Sequence, residues 1–173
     1  MQTREDVFMS IQDSWNKERW VWRFLMSAND FVLCESPGID APKAWVSALQ
    51  AVARDLRCLR TGREVHVDGL VWLFVVNDEY AVTIGWQGSG GLHEFSSFHG
   101  LTMDASFDMA AAWVAETVQD DLAGFESVQW PSQGQYMLKP SIHGGLAVWV
   151  DPHTSSIVST IGELHENFTC TNS

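Results

Sequence analysis

Four carboxylates, Glu116, Asp120, Asp121 and Glu126, crowd into eleven residues, and the nearest cations in sequence are Arg63 and Lys139. Glu116 and Asp120 stand four apart, where like charges on a helix repel. Asp120 and Asp121 fall in the last turn of an expected helix, whose dipole already presents negative charge. Each such violation costs about 0.3–1 kcal/mol. A cluster of this kind can be a solvated face balanced by cations from elsewhere in the fold, a docking surface for a basic partner, or a divalent-metal site. Local rules broken without an evident gain mark candidate functional positions, so these four are the first partner-binding candidates. Asp78 and Glu79, at an expected hairpin tip, are the second.

The remaining chemistry is sparse. All six histidines lie after residue 64, and the tightest grouping, His93-Glu94 with His99, offers two nitrogens and an oxygen. Its spacing matches no compact zinc signature, and a metal-dependent hydrolase built on His93, Glu94 and His99 is the alternative rather than the main reading. Gln87-Gly88-Ser89-Gly90-Gly91 misses the first glycine of a Gly-x-Ser-x-Gly nucleophile elbow. As a phosphate loop it lacks the lysine and the helix that should follow. Cys34, Cys58 and Cys170 have no metal-ligand spacing and read as inert thiols of a reducing compartment. No catalytic residue, metal or cofactor is therefore assigned.

Charge narrows the partner. Residues 1–63 hold nine bases against eight acids, whereas residues 64–173 hold fourteen carboxylates and one cation, Lys139. A surface so poor in cations repels nucleic acid and anionic lipid and attracts basic proteins. Trp20 and Trp22 would need interleaved cations to stack nucleic-acid bases, so they read as core. The functional expectation is a non-catalytic acidic protein that occludes a basic partner, toxin-like or nuclease-like, in the manner of an immunity protein or inhibitor. A structural subunit or homo-oligomer joined through Trp20, Trp22, Trp86 and Trp149 is a further alternative, and the oligomeric state is left open. The acidic start Met-Gln-Thr-Arg-Glu-Asp lacks the basic region of a signal peptide and no apolar run reaches membrane-spanning length. A cytoplasmic location is expected.

These residues need elements to hold them. At 46% hydrophobic, with nine Trp and nine Phe, the chain can fill a core. One α+β domain over residues 1–164 is expected, followed by a loose polar tail over 165–173. Thr3 and Asp6 resemble a capping box for a helix over 4–15. Residues 18–26 and 31–35 read as a hairpin. Asp40 is the expected cap of a helix carrying Trp45, Leu49, Val52, Leu56 and Leu59 toward Gly62, with Arg54, Arg57 and Arg60 suiting its dipole. Val65–Val67, the apolar run 70–76 and residues 80–86 predict a three-stranded meander around Asp68-Gly69 and Asn77-Asp78-Glu79. Residues 92–101 are a further possible strand. Asp104 or Ser106 should cap a second helix ending at Gly124, with Phe107, Ala111, Val114, Val118 and Leu122 as its core stripe. Short strands at 128–130, 135–138, 146–150 and 157–161 complete a mostly antiparallel sheet on which both helices pack.

The pattern Trp130-Pro131, Leu138-x-Pro140, Leu146-Ala147-Val148-Trp149-Val150 and Ile161-Gly162-x-Leu164 resembles the C-terminal part of an uncharacterised bacterial protein family. The resemblance covers about 35 residues. Family members carry a Cys- and His-containing stretch before the Leu-x-Pro, where this chain has Ser132-Gln133-Gly134-Gln135. The resemblance thus implies no metal role here and no activity.

Overall fold

The structure is a computed structural model that describes residues 18–60, 65–88, 90–98 and 100–164. It has the expected α+β class with antiparallel sheets, but its strands divide into sheets of five, three and two strands rather than one. The helix expected over 4–15 and the tail over 165–173 lie outside the described residues.

β1 (Glu18–Met26) and β2 (Phe31–Glu35) form the expected hairpin, with Phe24 opposite Leu33. β3 (Val71–Asn77) occupies the centre of a five-stranded sheet of order β2-β1-β3-β4-β5. Its unbroken apolar sequence suits that place, because a central strand covered on both faces has no polar side to offer, and Trp72 through Val76 are all buried. β4 (Val82–Gln87) returns from β3 through a turn in which Asn77 Oδ1 accepts the amides of Glu79 and Ala81. The meander is therefore β1–β3–β4, not one begun by Val65–Val67. The longer β1 takes that side of β3, and Met26 exchanges backbone hydrogen bonds with Gly69 and Leu70. In the 92–101 stretch β5 (Phe95–Ser96) pairs against β4, and beyond it Gly100 and Leu101 exchange backbone hydrogen bonds with Val82.

α1 (Lys43–Leu56) begins at Pro42 with no side-chain cap, so Asp40 does not play the expected role. Proline's fixed φ suits a helix start, and its carbonyl accepts the amides of Trp45 and Val46. The helix stops before Leu59. α2 (Phe107–Asp121) is capped by Ser106, whose hydroxyl accepts the Met109 amide. Gly124 does not end it. The chain continues through one π-helical turn, Leu122–Glu126, and leaves at Ser127 with φ 55°, in the left-handed region. Ala111, Val114, Val118 and Leu122 are buried as the stripe predicts, with Phe107 half-buried.

Beyond residue 131 the strands form a separate sheet of order β10-β9-β8, from β8 (Lys139–His143), β9 (Leu146–Val150) and β10 (Ile157–Thr160). A two-residue ribbon, β6 (Ser132–Gln133) with β7 (Tyr136–Met137), precedes it, and residues 128–130 are not a strand. The two helices pack on each other and α2 also contacts β8 and β9. Trp45 joins the layers, 5.5 Å from Phe74 of β3 and 5.8 Å from Trp113 of α2 between ring centroids. Trp22, Trp86 and Trp149 are fully buried, which removes three of the four tryptophans considered for an obligate interface.

One buried carboxylate closes the C-terminal sheet onto α1. Asp55 is fully buried, and its Oδ2 accepts from Trp149 Nε1 and the Gly162 amide, both at 2.7 Å, while Oδ1 accepts the Leu164 amide at 3.0 Å. Its backbone carbonyl accepts Trp130 Nε1 at 3.3 Å. Gly162 has φ 101° and a Cβ there would stand 2.9 Å from that of Ala51, so only glycine lets the turn lie against α1. Trp130, Trp149, Gly162 and Leu164 of the C-terminal pattern thus converge on one residue of α1.

Cys58, which follows α1, is disulfide-bonded, whereas Cys34 on β2 is an exposed free thiol. The reading of buried or inert thiols therefore fails at Cys58, while Cys34 keeps a free thiol but is not buried. Among the described residues no helix is long and apolar enough to cross a membrane.

Candidate functional site

The end of α2 and its π turn meet the β4–β5 connection. Asp121 closes the helix, Glu126 closes the π turn, and His93 lies between them. The His93 backbone amide donates to Glu126 Oε1 at 2.7 Å, and its ring Nδ1 approaches the same oxygen at 2.8 Å. On the other side Nε2 is 3.3 Å from Asp121 Oδ1. The side chains of Asp121 and Glu126 are 8% and 7% exposed, that of His93 34%. A neutral imidazole has one N–H and so can donate to one of the two carboxylates; the imidazolium donates to both. His93 is further held by Trp86 Nε1, which donates to its carbonyl at 3.0 Å, and by the ring of Phe125 at 4.7 Å. π turns occur often at functional sites, and this one carries Phe125 and Glu126 to His93.

Asp121 is only half satisfied. Oδ1 faces His93, while Oδ2 is buried and has no hydrogen-bond partner among the described residues. Burial pushes its carboxyl above the ordinary value, against the opposing pull of His93. Beside it opens a cavity of about 410 Å³ lined by Phe95, Phe98, Trp113, Thr117, Asp120, Asp121 and Phe125, together with two serines. Trp113 keeps its place because Gly100 lies beneath it: a Cβ at Gly100 would stand 2.0 Å from Trp113 Cζ2. Phe98 and Phe125 are 96% and 75% exposed, large aromatics at the rim with no part in the core.

Of the sequence candidates, Asp120, Asp121 and Glu126 gather here, and Glu116 is exposed one turn before Asp120 on α2. Asp78 and Glu79 are exposed on the turn between β3 and β4. They lie at the opposite end of those strands, about 20 Å from the residues of β4 that pair with β5. Arg54 and Arg57 do not neutralise the cluster. Arg54 donates to the Gly162 carbonyl at 3.1 Å, and Arg57 donates to the Ser27 carbonyl and lies 3.7 Å from Asp68.

His93 thus sits between two carboxylates of the acidic cluster, Asp121 and Glu126. Glu94 instead receives the Gly88 amide at 3.4 Å, and His99 lies outside the described residues. No group of three His, Cys, Asp or Glu side chains could hold a metal ion among the described residues. The role of His93 and of the aromatic wall was missed in the sequence because both depend on long-range contacts. The one local signal was Phe125, an aromatic set beside a glycine in an otherwise acidic helix end.

A second cavity of about 410 Å³ lies against α1, α2 and β9–β10. Its charged groups are already engaged: Arg54 with Gly162, Asp108 with the Ala147 amide at 2.8 Å, and Glu163 with the Thr160 hydroxyl. Comparison with protein-family models, curated proteins and solved structures finds no match to this chain. The functional reading rests on the geometry alone.

Proposed function

We propose that this protein is a non-catalytic acidic binding protein that docks on a basic protein and occludes its working surface, as an immunity protein or inhibitor covers a cationic toxin or nuclease. One observation carries the reading: the exposed carboxylates Glu116 and Asp120 precede the half-satisfied Asp121 on the same helix, and neither Arg54 nor Arg57 reaches them. Uncompensated charge of one sign costs stability in the free protein and is recovered when a partner of opposite charge arrives. The mechanism is steric cover of the partner's site, guided by steering that raises association rates by about 10- to 10³-fold. Asp78 and Glu79, at the far hairpin tip, form a second contact only for a partner that spans the five-stranded sheet.

The test is binding to basic proteins encoded beside this chain's own gene, followed by surface plasmon resonance at increasing salt. A complex whose association rate falls as salt rises, and falls again in a Glu116→Gln, Asp120→Asn variant, supports docking at this helix end. A complex indifferent to both removes it.

The cytoplasmic placement belongs to the same proposal, and Cys58 bears on it. Disulfides persist in oxidising compartments, so thiol titration of protein isolated under non-reducing conditions decides. Three reactive thiols support a cytoplasmic protein, and Cys34 alone supports an oxidising compartment.

A further inference from the structure

We propose that the cavity beside Asp121 is a receptor for one arginine side chain of the basic partner, its guanidinium paired with the carboxylates of Asp120 and Asp121 and its stem laid between Phe98, Phe125 and Trp113. This deepens the docking reading and rests on it for the source of the arginine.

Three independent features fit that occupant. Asp121 is more than nine-tenths buried, yet Oδ2 has no partner. A buried carboxylate oxygen without a donor is costly, and the charged donor that would satisfy it is absent from the residues lining the cavity, which include no Lys and no Arg. His93 fixes the other oxygen and so sets the carboxylate plane before any ligand arrives.

The aromatic wall then chooses between cations. Phe95, Phe98, Trp113 and Phe125 offer ring faces and edges to a planar, weakly hydrated group. A guanidinium stacks on such rings while its fork of donors reaches carboxylates; an ammonium is more strongly hydrated and loses more water on entering. A cavity of about 410 Å³ lies at the small end of ligand pockets and accommodates a single side chain rather than a folded element. The near-complete exposure of Phe98 has no role in the isolated fold and acquires one as the rim that closes over the arginine stem.

The experiment titrates the whole protein with N-acetyl-arginine amide and, separately, N-acetyl-lysine amide, following the Trp113 indole and the Phe98 and Phe125 rings by NMR. The arginine compound should shift these resonances and bind more tightly than the lysine compound. Asp121→Asn should weaken it by about tenfold, the loss expected for one charge-assisted hydrogen bond. Phe98→Ala, at a solvent-exposed position that leaves the fold intact, should weaken it by a smaller factor. Overturning results are equal binding of the two compounds, binding unchanged in both variants, or no shift of these rings at tens of millimolar arginine amide. If the arginine compound fails while a basic protein still binds through Glu116 and Asp120, the cavity proposal falls and the docking reading stands. If the compound binds as expected and no basic protein does, the docking reading falls, and with it the partner as the source of the arginine.

Discussion

Asp55 and Asp121 are two aspartates near the ends of the two long helices, both buried, and the fold treats them in opposite ways. Asp55 receives Trp149 Nε1, the Gly162 amide and the Leu164 amide on its two oxygens, from a segment more than ninety residues later in the chain. Asp121 receives His93 on one oxygen and nothing on the other. A buried carboxylate with its lone pairs filled stabilises and specifies a fold; one left open stores an unmet requirement. The first acts as a structural tie and the second is suited to a ligand, although each is followed directly by a leucine at the end of its helix.

The sharpest way to break this comparison is Asp55→Ala. It strands three donors in the core, and the expected loss is about 3–5 kcal/mol, the usual range for removing one partner of a buried charged contact. Urea unfolding measures it, and a loss below about 1 kcal/mol, the size of one ordinary hydrogen bond, would mean the tie is dispensable. Trp149→Phe keeps an aromatic ring and removes one of the donors. A loss of about 1–2 kcal/mol is expected for that bond, and because the two residues share one interaction, the double variant should lose less than the sum.

The contrast also marks what was readable in the sequence. Periodic apolar patterns located β1, β2, β3, β4, α1 and α2, because burial on one or both faces leaves its period in the chain. The pattern from Trp130 to Leu164 was visible as well, but its purpose was not: nothing local connects Trp149 or Gly162 with Asp55. The acidic helix end was visible as a breach of local rules. What could not be read was that His93, between β4 and β5, would take one oxygen of Asp121 and leave the other, or that Gly100 would seat Trp113 on the cavity wall. Boundaries failed where backbone hydrogen bonds went elsewhere, as at Val65–Val67, whose place beside β3 belongs to β1, and at Gly124, which the π turn passes through.

A smaller effect, of opposite sign, is expected at Asp121. Burial raises the folded-state value of this carboxyl above its unfolded value, so its contribution is fully present below the unfolded value, where it is protonated in both states, and is lost as pH rises through the raised folded value. Asp121→Asn removes the charge throughout. The variant should therefore be as stable as the wild type in acid and slightly more stable near neutrality. The charged neighbours that shape this are His93, from the β4–β5 connection, and Glu126 and Asp120, from the helix end. Thermal unfolding across pH 3 to 8, with the two midpoints subtracted, reads the effect directly. A variant markedly less stable at neutral pH would show that Asp121 and His93 form a structural pair comparable with Asp55 and Trp149.

The smallest expected change in stability is at Glu116 and Asp120, and it carries the most weight for function. Both are exposed, and among the described residues neither has a salt bridge. Replacing them by Gln and Asn removes i,i+4 repulsion and an adverse interaction with the helix dipole, each about 0.3–1 kcal/mol at most. The free protein should therefore unfold within about 0.5 kcal/mol of the wild type or slightly above it. Association with a basic partner should nonetheless slow by roughly tenfold at low salt, since exposed charges act through steering over about a Debye length. That difference should shrink as salt rises, because screening removes from the wild type what substitution removed from the variant. Dissociation should change less, since the buried contact is expected at Asp121. A variant that dissociates faster but associates at the wild-type rate would place Glu116 and Asp120 inside the bound contact, and the division between an exposed steering pair and a buried anchor would have to be abandoned.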